Sequence, residues 1–204
     1  MDKNLEGNKV SLVGRVLRGP VYSHKTYGES FYIVMIGVLR KSGYEDKLRL
    51  MVSDRFLGGR SPREGEIIFA KGQIRTYNRE YNGRNKLEVI VFVREIEYVH
   101  EEFDYENNVY IEGFICKEPV RRKSPMGREL CDLMVAVNRL YNKSDYIPCI
   151  AWGRNAAYAG MLNVGDKIAV DGRLQSREYR KFTDEGELIT KNAYEVSITG
   201  IEVI

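Results

Sequence analysis

Sliding the 204-residue chain along itself by 99 positions brings at least ten identical residues into register. Asn8 meets Asn107, Val10 meets Val109, Gly14 meets Gly113 and Pro20-Val21 meets Pro119-Val120. Gly28 meets Gly127, Met35 meets Met134, Val38 meets Val137, Arg40 meets Arg139 and Arg55 meets Arg154. The offset becomes 100 at Gly65/Gly165 and Gly72/Gly172. It becomes 107 where Glu88-Val89 is matched to Glu195-Val196, which places a longer insertion in the second copy. A period of a whole domain excludes a solenoid, whose units are much shorter. It predicts two closed units: a first domain over 1–99, an acidic polar linker over 100–107, and a second domain over 108–204.

Inside each copy the apolar residues repeat every second position, the period of a strand. The first copy has five such runs: Val10–Leu17, Phe31–Val38, Lys47–Val52, Glu66–Arg75 and Leu87–Val93. The second has five more, near 108–116, 130–138, 145–152, 166–176 and 192–203. Tyr81-Asn82-Gly83-Arg84 is a strong two-residue hairpin signal. Five strands with hairpins after the first, second and fourth predict an all-β fold of two tandem five-stranded OB-fold barrels. A short helix is expected only in the second, at Arg154–Leu162. The first copy has Gly58, Gly59 and Pro62 there, which disfavour one.

Composition narrows the function. Hydrophobic residues make up 43% and charged residues 30%, the balance of a globular chain rather than a disordered one. No apolar run approaches the roughly 20 residues of a membrane helix, and the first residues lack signal-peptide character. Both point to the cytoplasm and away from a membrane. Cys116, Cys131 and Cys149 are odd in number and form no CxxC pair, so they read as buried small hydrophobes. Walker A, dinucleotide-binding, GxSxG and HExxH motifs are absent. His24 and His100 are isolated. No enzyme, cofactor or metal site is expected. The net charge of +3 is unevenly spread. Residues 1–100 carry 18 Lys+Arg against 12 Asp+Glu, and residues 101–204 carry 14 against 17, so the basic excess lies in the first half.

In the second copy, Ser144–Gly153, Val164–Tyr179 and Tyr194-Glu-Val resemble, in turn, the third strand, the fourth strand with its outgoing hairpin, and the start of the fifth strand of the bacterial single-stranded-DNA-binding proteins. Glu118-Pro-Val, Gly127-Arg-Glu-Leu and Ala136-Val-Asn-Arg fit upstream. The resemblance implies sequence-tolerant binding of single-stranded DNA in replication, recombination or repair. In that family, aromatic side chains on the barrel stack on unpaired bases; the matching positions are Tyr146, Trp152 and Tyr179. Stacking tolerates any base, at roughly 1–3 kcal/mol each. Nearby cations suited to phosphate are Arg121, Arg122, Lys123, Arg139, Arg154, Arg173, Arg177, Arg180 and Lys181. For each there is an ordinary alternative: core packing for Trp152, and solvation for the tyrosines and the cations.

Two departures qualify the resemblance. Family members usually continue into a flexible tail with an acidic tip that recruits partners. This chain stops in strand pattern at Gly200-Ile-Glu-Val-Ile, so replication or repair proteins are not expected to bind by that route. The platforms also fail to carry over: position 47, matched to Tyr146, is lysine, and position 53, matched to Trp152, is serine. In the first copy the hairpin keeps aromatics, Tyr77 and Tyr81, beside Arg79 and Arg84, and Tyr22, Tyr27, Phe31, Tyr32 and Tyr44 are further aromatics whose faces the sequence does not assign. That copy either tracks phosphate or serves as a structural partner. Two competing readings stand: a replication-accessory scaffold whose barrels bind protein, and an RNA-binding OB protein. The family commonly assembles four OB domains, so a homodimer is expected.

Overall fold

The computed structural model describes residues 7–81, 83–100, 102–139, 142–182 and 186–204, without the side chains of residues 81, 84, 85 and 181. The first copy forms β1 (Asn8–Thr26), β2 (Glu29–Leu39), β3 (Glu45–Ser53), β4 (Ile67–Tyr81) and β5 (Arg84–Val99). The second forms β6 (Glu106–Ile115), β7 (Val120–Lys123), β8 (Glu129–Asn138), β9 (Ser144–Trp152), β10 (Lys167–Phe182) and β11 (Leu188–Val203). Between β9 and β10 lies α2 (Arg154–Ala159). At the same place in the first copy, Gly58 closes a single turn, α1 (Asp54–Leu57), in the left-handed conformation. The glycines and proline there hold the helix to that one turn.

Each copy closes on itself. β1 pairs with both β2 and β4, β2 with β3, β4 with β5, and β3 runs parallel to β5. The second copy repeats this, with β8 in the place of β2, and β7 as a short strand along its outer edge. Closure leaves few free edges. Alternate residues, including Leu12, Ile36, Leu50, Ile68 and Val91 in one barrel and Ile111, Val135, Ile147, Ile168 and Val196 in the other, fill the interiors. These are two tandem OB-fold barrels.

Paired glycines sit where strands approach most closely. A Cβ at Gly14 would lie 2.8 Å from the Gly37 carbonyl oxygen, and one at Gly113 would lie 2.5 Å from that of Ala136. At Gly72 and Gly172 the clash would be with the Phe92 and Ser197 oxygens, at 2.1 and 2.6 Å. The last pair corrects the repeat alignment. Val91 lies beside Leu50 as Val196 lies beside Cys149, so the offset at the final strand is 105, not 107. The two Glu-Val dipeptides are coincidental: Glu195 occupies the place of Ile90. The bulged residues Arg94 and Thr199 obey the same offset of 105.

The barrels are joined by strand pairing. β1 runs antiparallel to β6, with Asn8 opposite Ile111, Val10 opposite Val109 and Leu12 opposite Asn107. Two matched polar joints flank this ladder. The buried Asp46 carboxylate accepts from Arg40 at 2.6 and 2.7 Å and from the Ser176 amide at 2.7 Å, while the Lys47 amide donates to Ser176 Oγ at 2.9 Å. In the other joint, the buried Asp145 carboxylate accepts from the Thr76 amide at 2.6 Å and pairs with Arg75 and Arg139 at 2.9 Å, while the Tyr146 amide donates to Thr76 Oγ1 at 2.7 Å. Each joint ties the third strand of one barrel to the fourth strand of the other. No helix among the described residues is long and apolar enough to cross a membrane.

Candidate nucleic-acid interface

The strand period decides which side chains share a surface. On β9, Ile147, Cys149 and Ala151 point into the barrel, so Tyr146, Pro148, Ile150 and Trp152 point outward. Tyr146 is 48% exposed and Trp152 39%, values that fit half-covered rings with one free face and exclude core packing for either. Six residues of strand separate them, about 20 Å.

The neighbouring strands extend this face. Leu130 lies across from Trp152, and Arg122 lies across from Leu130. Arg173, Gln175, Arg177 and Tyr179 alternate outward on β10, where Leu174 and Ser176 are buried. Tyr179 is partly covered. Arg154 is exposed at the start of α2, beside Trp152 across Gly153, whose φ is +56°. The structure therefore brings together Tyr146, Trp152, Tyr179, Arg122, Arg154, Arg173 and Arg177 on one side of the second barrel.

Other nominated residues fall elsewhere. Arg139 is committed to the Asp145 joint between the barrels, which its place at the end of β8 concealed in the sequence. Arg121 points away from Arg122, with its stem against Gly160 and its guanidinium 3.8 Å from Glu129. Lys123 is exposed at the end of β7. In the first barrel, Tyr77 and Arg79 are exposed on the outer side of β4. The side chains of Tyr81, Arg84 and Lys181 lie outside the described residues.

The middle of the second barrel's face is acidic. Asp132 lies across from Ile150 and binds Arg122 through both its oxygens. Glu195 lies on β11, on the far side of β9 from Asp132 and 3.9 Å from Arg177. Burial pushes the Glu195 carboxyl above its usual range, and Arg177 opposes the shift.

The corresponding face of the first barrel has a different centre. Phe31, Met51 and Ile90 form a small buried cluster outside the barrel, with Ile33 and Phe92 packed on it. His24 stacks on Phe31 at 5.1 Å and 12°. Phe92 lies 5.7 Å from Phe31, and the Arg94 guanidinium lies over Phe92 at 4.8 Å. Ser53, in the place of Trp152, instead caps α1 and hydrogen-bonds Glu29. Sequence reasoning missed this cluster because it compared single positions, and here Phe31 and Phe92 stand on the two strands that flank β3. The signal available was Val89-Ile-Val-Phe-Val93, apolar on both faces of one strand.

The fold and these faces define a tandem OB-fold protein with aromatic and basic outer surfaces. Residues 106–203 match the model of the Single-strand binding protein family. Single-stranded DNA-binding protein A of Bacillus subtilis (strain 168) is 33% identical over 92 residues, covering 42% of this chain and 54% of that protein. Single-stranded DNA-binding protein 2 of Listeria innocua is 30% identical over 92 residues, covering 42% and 58%. The chain spans about half the length of the curated relatives it matches. The crystal structure of wild-type single-stranded DNA binding protein from Thermus aquaticus superimposes with a TM-score of 0.76 over 97% of this chain and 92% of that one, at 23% identity, a likeness of fold. The match to the single-strand binding protein family lies in the second barrel and covers just under half of the chain.

Proposed function

We propose that this protein binds single-stranded DNA with little sequence preference, in DNA replication, recombination or repair. The observation that carries this reading is the outward face of β9, where Tyr146 and Trp152 stand half-exposed among Arg122, Arg154, Arg173 and Arg177. Unpaired bases offer a π-face to such rings whatever their identity, and guanidinium groups beside the rings neutralise the intervening phosphates. The relatives named above carry the same activity in their names. The reading is of a binding protein, not an enzyme, acting in the cytoplasm. Its two units are the barrels over 1–99 and 108–204, joined through 100–107, and a homodimer would assemble four barrels.

Anisotropy of a labelled oligo-dT, titrated at several salt concentrations, tests the activity. Affinity is expected to fall linearly on a log–log plot, by a slope of about 0.7 per phosphate neutralised. Affinity independent of salt, or equal affinity for a duplex of the same length, would contradict it. Light scattering tests the assembly: a dimer mass is expected, and a monomer at micromolar concentration would refute the homodimer.

A further inference from the structure

We propose that the first barrel carries its own base-stacking site, built on β1, β2 and β5 around His24, Phe92 and Arg94 rather than on β3, and that it takes unpaired nucleotides of the same strand. This rests on the single-stranded-DNA reading above. The second barrel's platforms have no aromatic counterparts on β3 of the first, where Lys47 and Ser53 replace them and both are engaged. Lys47 pairs with Glu178 at 3.3 Å, and Ser53 bonds Glu29 and caps α1. The aromatic surface has moved by one strand in each direction. Phe31 stands opposite Ser53 on one side, and Phe92 stands beside Met51 on the other.

Three observations point to nucleotides as the occupant. First, the surface is aromatic. The His24 ring lies nearly parallel on Phe31 and is exposed above it, and Phe92 is partly open. Second, it is cationic. Arg94 is exposed and makes no ion pair among the described residues. Partial desolvation, and after it repulsion from Arg75 and Arg55, lower its pKa. The acid that acts on it electrostatically, Glu29, is itself bonded to Ser53 and paired with Arg55 at 3.4 Å. Third, the centre is apolar where the second barrel has Asp132 and Glu195. Ile33 and Ile90 hold those places, so this face repels a polyanion less than its sister does. Tyr77, outward on β4, continues the surface toward the hairpin, past Arg75, which is held by Asp145 in the joint between the barrels.

The site can be read with a moved reporter. Trp152 is the only tryptophan, so the double variant W152F/F92W transfers the fluorescent ring to β5 and keeps an aromatic at 152. Oligo-dT binding is followed in parallel by anisotropy of a labelled strand. Quenching of the relocated tryptophan by an oligo long enough to span both barrels is the expected result. In the wild-type background, R94Q is expected to lower the salt slope by about 0.7, and F92L to weaken long-oligo binding about fivefold or more. Bound oligo with unquenched tryptophan, together with unchanged R94Q and F92L affinities, would overturn the proposal and leave the second barrel's activity standing. That pattern is also what a protein-docking face would give. If wild-type protein binds no oligo by anisotropy, both readings fall.

Discussion

Val10 lies directly across the β1–β6 ladder from Val109, the residue 99 positions further along the same chain. A residue that pairs with its own copy marks a local two-fold axis, the symmetry of an isologous dimer interface built here within one polypeptide. The axis also relates Asn8–Ile111 to Leu12–Asn107, and it generates the two polar joints. Gene duplication preserved one pairing surface and used it against itself.

The joints predict where stability resides. Asp46 and Asp145 are fully buried, and each pairs with an arginine of its own barrel and accepts from a backbone amide of the opposite one. Removing one partner of a buried pair costs about 3–5 kcal/mol. Asp46→Ala and Asp145→Ala are each expected to lose that much in chemical denaturation. A loss below about 1 kcal/mol in both would show that the joints are incidental.

Gly72 and Gly172 should be equally intolerant. A Cβ at either position meets a backbone carbonyl oxygen, which cannot swing aside as a side chain can. Overpacking of this kind costs typically 1–3 kcal/mol. Gly172→Ala is expected to lower the melting temperature of the full chain, whereas an alanine at Ser11, on the surface side of β1, should cost less. The comparison is made by calorimetry.

Glu195 predicts a pH dependence. Its carboxyl is raised above the ordinary value by burial, so the folded protein favours its neutral form. The corresponding stability is complete below the unfolded value and is lost as pH rises through the folded one. Around the carboxyl stand Arg177, Asp132, Arg122 and Arg40. Glu195→Gln is therefore expected to stabilise the protein at neutral pH and to change little near about pH 4. Oligo-dT affinity should rise on acidification in the wild type, and this rise should be smaller in the variant. An identical pH profile in the two proteins would remove Glu195 from the binding face.

Much of the architecture could be read from the sequence, because closure of a small barrel demands glycine where strands converge. Gly14, Gly72 and their copies gave the repeat its register. The final strand was misaligned by two residues because a chance Glu-Val dipeptide recurs there, while the true guide, the Val91/Val196 contact with β3 or β9, is set by pairing across the chain. The same non-local pairing hid Arg139, a cation beside the site in sequence but a joint residue in space. The resemblance nominated Tyr146 and Trp152, and the strand period accounts for both pointing outward. The first barrel's cluster did not follow from position-by-position comparison, since Phe31 and Phe92 are neighbours only once β3 lies between them.

The central claim rests on Trp152, and the sole tryptophan makes it directly measurable. Titrating oligo-dT into wild-type protein, with Tyr146→Ala, Trp152→Phe and Tyr179→Ala in parallel, follows intrinsic fluorescence and affinity together. Strong quenching that saturates with binding is expected, with each alanine variant weaker by roughly 1–3 kcal/mol. Tight binding with unquenched Trp152 and unchanged alanine variants would contradict a stacking site on β9.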